Sequence, residues 1–156
     1  MPEVPEIFVN FRTGDGDTCA VLAERELSRH FARIHLHGGD QPDEHISAVR
    51  RSAALLVVIG AGWLAYADEH DHNALDTDYD WLRREIVAAF EADVPVVPVL
   101  ADRAERVRAV DLPARLARLG DLPYVRIDTG SPAEGLRELR ALLAERGAGG
   151  RAGATP

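Results

Sequence analysis

Seven consecutive apolar residues, Ala53-Ala54-Leu55-Leu56-Val57-Val58-Ile59, constrain this chain more than any other feature. A strand with one face in water alternates apolar and polar side chains, whereas an unbroken run fits a strand covered on both faces, as in a parallel sheet between two layers of helix. Val94-Pro95-Val96-Val97-Pro98-Val99-Leu100 is a second such run. Parallel neighbours need crossovers, so helices must separate the strands.

The remaining segments supply them. Ile7-Phe8-Val9 is a short strand that ends in a turn-rich loop, residues 10–17, and residues 18–32 form an amphipathic helix on Val21, Leu22, Leu27 and Phe31, with Cys19 near its start. Residues 33–37 alternate like a second strand, Gly38-Gly39 breaks it, and Pro42 or Asp43 opens a helix through Ile46 and Val49. After the 53–59 strand, Gly60-Ala61-Gly62-Trp63-Leu64 and a polar excursion to residue 80 lead into a helix beginning at Trp81, capped by Asp78 or Asp80. Beyond the fourth strand, residues 112–119 predict a short helix, residues 123–127 a fifth strand, and residues 131–146 a closing helix with Ser131 as its cap. The prolines within the fourth and fifth runs predict strand ends or a sheet edge, because proline cannot donate to the ladder. Five strands alternating with five helices give an α/β fold: a five-stranded, flavodoxin-like parallel sheet with helices on both faces.

At 156 residues and 46% hydrophobic content, one domain over residues 6–146 has a sufficient core, and the Gly/Ala-rich residues 147–156 form a flexible tail. The single Cys19 and the absence of a long apolar run predict a cytoplasmic setting without an internal disulfide. A formal net charge of −8 opposes binding to nucleic acid or to an anionic membrane surface. The 18 Lys+Arg residues are all Arg, which excludes a lysine nucleophile, a Schiff base and a phosphate-loop lysine.

Ligands of such sheets bind outside the carboxyl ends of the strands, here Asn10-Phe11-Arg12, His37-Gly38-Gly39-Asp40 and Gly60-Ala61-Gly62-Trp63. The last of these feeds into the Trp81 helix. At about 100° per residue, Leu82, Ile86, Ala89 and Phe90 share its packing face, and Trp81 and Glu85 form an adjacent stripe at the rim of that edge. Two readings stay open: a site-facing pair, or a boundary Trp beside a Glu paired with an Arg of the same helix. Gly14-Asp15-Gly16 lies where a dinucleotide fingerprint would, but Cys19 occupies the third glycine position and two aspartates stand where a pyrophosphate should sit. A phosphoacceptor receiver is excluded by the missing strand-end acids and lysine. His35/His37 and His70/His72 have no further ligand at a motif spacing, so no metal site is assigned; Cys19 reads as a small buried residue, and Ser47 and Ser52 lack a base-and-orienter arrangement.

Ile7-Phe8-Val9-Asn10-Phe11-Arg12, Arg51-Ser52 running into the 53–59 strand with Trp63, and Asp80-Trp81-Leu82-Arg83-Arg84-Glu85-Ile86 followed by Val96-Val97-Pro98-Val99 resemble a bacterial Toll/interleukin-1 receptor (TIR) domain over about residues 6–145. The resemblance extends to the Trp-x-x-x-Glu subset, on Trp81 and Glu85. It implies cleavage of NAD+ at its nicotinamide-ribose bond by a defence or signalling effector, with NAD+ as substrate and no cofactor. Glu85 is then the catalytic carboxylate and Trp81, Phe11, Arg12, Asp40 and His37 are substrate contacts. It also implies self-association or pairing with other TIR domains. The alternative is a non-catalytic TIR interaction or nucleotide-sensing module. The loop at residues 37–43 is shorter than is usual in that family.

Overall fold

Five parallel strands form one sheet in the computed structural model, which describes residues 6–12, 14–31, 33–36, 42–64 and 81–147. They are β1 (Glu6–Asn10), β2 (Arg33–Leu36), β3 (Ala54–Ile59), β4 (Val96–Ala101) and β5 (Val125–Ile127), in the spatial order β2-β1-β3-β4-β5. Every pairing is parallel, with Phe8 opposite both His35 and Leu55, and Val57 opposite Pro98. This is the flavodoxin-like order expected from the sequence, and its topological switch lies between β1 and β3.

Among the described residues, four α-helices cover the sheet: α1 (Asp17–Leu27), α2 (Pro42–Arg51), α3 (Trp81–Glu91) and α4 (Ala133–Glu145). Alternation along the strands divides the core. Ile7 and Val9 of β1, with Leu56 and Val58 of β3, pack against α1 and α4, whereas Phe8, Leu55, Val57 and Ile59 pack against α2 and α3. All six β3 residues are buried, as a strand covered on both faces must be.

Three local expectations are corrected. The predicted 112–119 helix is replaced by two 3-10 segments, Ala109–Asp111 and Ala114–Asp121. They meet at Gly120, where a Cβ would lie 2.3 Å from the Ala109 nitrogen, so the backbones approach too closely for any side chain. Ser131 does not cap α4: its N–H donates to the Asp128 carbonyl in the preceding turn, and Pro132 occupies the cap position without a side-chain hydrogen bond. Pro98 lies in an interior strand rather than at an end or edge. The Leu55 N–H donates to the Pro95 carbonyl, so alternation turns residues 95, 97 and 99 toward β3 and Pro98 toward β5. Pairing with β5 begins only at Val99 opposite Val125, so the missing Pro98 N–H breaks no ladder bond.

Helix α4 is seated on β5 through Gly135, where a Cβ would lie 2.4 Å from the Arg126 carbonyl oxygen and 3.0 Å from the Ile127 Cα. Gly135→Ala is expected to destabilise the domain by about 1–3 kcal/mol, the cost of overpacking against backbone that cannot yield, despite alanine's better helix propensity. Urea unfolding checks this; unchanged stability would mean that α4 lifts freely from the sheet.

Candidate active site

The inward face of α3 carries a carboxylate. Leu82, Glu85, Ile86 and Ala89 follow the i, i+3, i+4, i+7 spacing of a single helical face, and each is at most 2% exposed. Glu85 itself is 0% exposed, which corrects the expectation that it stands at the rim beside the apolar stripe. An ionised carboxylate removed from water costs several kcal/mol unless it is hydrogen-bonded or paired. Its environment supplies partners.

Asn10, the last residue of β1, is also 0% exposed. Two residues beyond Phe8, it falls on the same side of the strand, facing α2 and α3. Its Nδ2 donates to Glu85 Oε1 at 2.8 Å and to the Leu82 carbonyl oxygen at 3.2 Å, tying the strand end to the first turn of α3. The Asn10 Oδ1 is buried with no hydrogen-bond partner among the described residues. On the other side of the carboxylate, His45 Nδ1 of α2 lies 3.7 Å from Glu85 Oε2, beyond hydrogen-bond range but close enough for an ion pair when the imidazole is protonated. The His45 side chain is 18% exposed, so among the described residues this flank of the Glu85 carboxylate is the one nearer solvent. Its ring meets Phe8 edge-on at 5.9 Å, and Phe8 stacks on His35 at 6.0 Å.

The structure treats the other expected site residues differently. Trp81 is the first residue of α3, and its side chain, like Asp40, His37 and the proposed caps Asp78 and Asp80, lies outside the described residues. Arg12 is buried and follows Asn10 at the carboxyl edge. Phe11 is half-buried against the α1/α4 cluster, on the opposite side of the sheet from Glu85, because alternation turns it away from Asn10's side. It is a core-edge aromatic rather than a neighbour of the carboxylate. Sequence reasoning passed over Asn10 and His45. Both carried a signal: Asn10 shares the strand face of Phe8, and His45 lies one helical turn before the buried Val49.

A larger concavity, about 960 Å³, opens at the ends of β1, β3, β4 and β5 and is lined by Gly14, Asp15, Gly60, Asp102, Arg126 and Thr129 among others. Its polar groups are largely satisfied from within the protein. Gly14 N–H donates to Asp17 Oδ1 at 2.7 Å, Gly62 N–H to Asp15 Oδ1 at 3.1 Å, and Arg126 Nη1 to the carbonyls of Asp102 and Ala104. The Gly14 amide that a pyrophosphate would need is thus already taken, in keeping with the failed dinucleotide pattern. Thr129 donates its N–H and hydroxyl to Asp102, and these bonds hold that carboxyl below its ordinary pKa. Cys19 at the cavity wall is fully buried, and burial, aided by the Asp102 charge, pushes its thiol up to about 12, so it is no nucleophile. A second cavity, about 290 Å³, lies between α2 and α3 among Ile46, Arg50, Arg83, Val87 and Arg115. Neither is lined by Glu85. Concavity alone favours the larger cleft, where the buried Asp15 Oδ2 also has no hydrogen-bond partner among the described residues, whereas the fully buried carboxyl group with a dedicated donor favours Glu85.

Among the described residues, no group of three or more His, Cys, Asp or Glu side chains could hold a metal ion, and no helix is long and apolar enough to cross a membrane. No protein-family model matches the sequence, and no curated protein matches it. Among solved structures, the chain is similar to a TIR domain of the activated Roq1 resistosome that directly recognises the pathogen effector XopQ. The match has a TM-score of 0.64 and 12% sequence identity, over 89% of this chain and 99% of that one. At that identity the likeness concerns architecture: the chain has the α/β fold of a TIR domain.

Proposed function

We propose that this chain is a TIR domain that cleaves NAD+ at its nicotinamide-ribose bond, with Glu85 as the catalytic carboxylate, in a cytoplasmic defence or signalling effector. The observation that carries the reading is the buried Glu85 at the carboxyl edge of the sheet, which accepts a hydrogen bond from a neutral amide donor of β1. A fully buried carboxyl group with a dedicated hydrogen-bond donor at the ligand edge of the sheet is costly to keep for packing alone, which supports a functional role. The chemistry suits one carboxylate. Nicotinamide leaves NAD+ as a neutral base when the C1′–N bond breaks, so no general acid is needed, unlike an ordinary glycosidase with its two carboxyl groups. Positive charge develops on the ribose, and Glu85 stabilises it in a site of low dielectric. Water then bonds to C1′ and releases a proton, giving ADP-ribose; attack by a group of the same molecule gives a cyclic product instead. In this reading Trp81, one turn before Glu85, has the role of covering the nicotinamide, and Arg12 that of meeting the phosphates, as the family resemblance implies.

Glu85 needs a path for the substrate, and among the described residues the partly open side is that of His45. Dinucleotide sites enclose most of their ligand, and a second copy of the chain set against this edge of the sheet would add wall to the site. The similar domain's place in a resistosome supports self-association. Specific activity is expected to rise across a hundredfold increase in protein concentration, and moderate salt to help by screening the net charge of −8. Chromatography of NAD+ incubations checks this, with light scattering to follow assembly. Flat specific activity from a monomer would remove the shared site while leaving Glu85 in place.

The complete burial of Glu85 favours a second reading, a non-catalytic interaction module in which the Asn10–Glu85 bond is only a tie between β1 and α3. Its mark would be a folded, self-associating protein that leaves NAD+ intact.

A further inference from the structure

We infer that Asn10 is a positioning residue for Glu85, fixing Oε1 so that Oε2, on the side of His45, is the oxygen presented to the ribose. The inference rests on the reading of Glu85 as the carboxylate that acts on NAD+. Both amide hydrogens of Asn10 are committed within the protein. One goes to Glu85 Oε1 at 2.8 Å and the other to the Leu82 carbonyl at 3.2 Å, so the carboxylate is referenced at once to the strand end and to the backbone of its own helix. A glutamate has three side-chain torsions, and the bond from Asn10 restricts those that set the position of Oε1. Asn10 removes that freedom without cancelling the charge, because an amide is a neutral donor. The two carboxylate oxygens are thereby made unequal. Oε1 is consumed by a residue that is 0% exposed, whereas Oε2 faces His45, the member of the trio that reaches solvent. His45 in turn has its place set by Phe8, which shares a strand face with Asn10. A pre-set carboxylate spares the transition state the work of orienting it, and a displacement of about 1 Å in such a group can cost about 100-fold in rate.

The test is a double-mutant cycle read in steady-state kinetics. Asn10→Ala is expected to lower kcat for NAD+ cleavage by about 10- to 100-fold with KM changed less than threefold, since it acts through Glu85 and not on the substrate. On a Glu85→Gln background the same substitution should change the residual rate less than threefold, because the group it positions is no longer charged. Loss confined to KM, an equal fractional loss on both backgrounds, or wild-type kcat in the variant would each overturn the role of Asn10 and leave Glu85 catalytic. A wild-type protein that cleaves no NAD+ would overturn the proposed function and this inference with it. Should Asn10→Ala not fold, Asn10→Ser is read by the same criteria; its hydroxyl stays polar in the buried space but is too short to reach the carboxylate.

Discussion

Glu85→Gln is expected to lower NAD+ cleavage by at least about 100-fold, the scale of one lost electrostatic contact in the transition state. The substitution keeps the side chain's size and its carbonyl oxygen, so the 2.8 Å bond from Asn10 Nδ2 survives as an amide-amide pair. Removal of a buried charge offsets the weakening of that bond, and thermal stability should hold within about 1 kcal/mol. Glu85→Ala would be a poorer test, because it leaves the buried Asn10 donor without its carboxylate and opens a void in the α3 interface. Nicotinamide release by variants of matched melting temperature gives the comparison, and near-wild-type turnover by the Gln variant would take Glu85 out of the mechanism.

Trp63→Ala is expected to have the largest effect on stability, about 3–5 kcal/mol, as for other large aromatics removed from a core. Trp63 follows β3, is 0% exposed and is the largest fully buried side chain among the described residues, packed in the same cluster as Leu82 and Ile86. For a domain of this length that loss corresponds to a fall of roughly 10 °C in Tm. Trp63→Phe should cost far less. The indole Nε1 is buried without a hydrogen-bond partner among the described residues, so removing that donor recovers part of the lost packing. Denaturant unfolding of the pair decides it. Equal losses in both variants would mean that the N–H has a partner after all, and no loss in Trp63→Ala would mean that the side chain does not anchor the cluster.

The sheet was legible because β3 and β4 are buried on both faces and the sequence has no choice but to make them apolar throughout. Crossovers then dictate helices on both sides, and the order follows the common doubly wound pattern. Proline and turn chemistry was less legible. The harmlessness of Pro98 depends on where β5 begins, which is a tertiary fact, and the 3-10 path of residues 109–121 depends on Gly120 lying against Ala109. Glu85 shows the limit most sharply. Its polarity argued for the rim, although the spacing of Leu82, Glu85, Ile86 and Ala89 placed it on the packed face; a charged residue there makes sense only once Asn10 and His45 are known to meet it. Those partners arrive from β1 and α2, separated from Glu85 by long stretches of chain, and no local pattern brings them together. The Trp81/Glu85 spacing and the strand-end position of Asn10-Phe11-Arg12 pointed to the edge of the sheet where Asn10 meets Glu85, yet they did not distinguish Phe11, turned toward α1 and α4, from Asn10, turned toward the carboxylate.

The most direct measurement is proton NMR of NAD+ incubated with the purified wild-type protein at high concentration, with the Glu85→Gln variant as the paired control. The account predicts free nicotinamide appearing in step with loss of NAD+, matched one to one by ADP-ribose or a cyclic isomer, and near-silence from the variant. Nicotinamide release no greater from the wild type than from the variant, with both proteins folded and assembled, would contradict it.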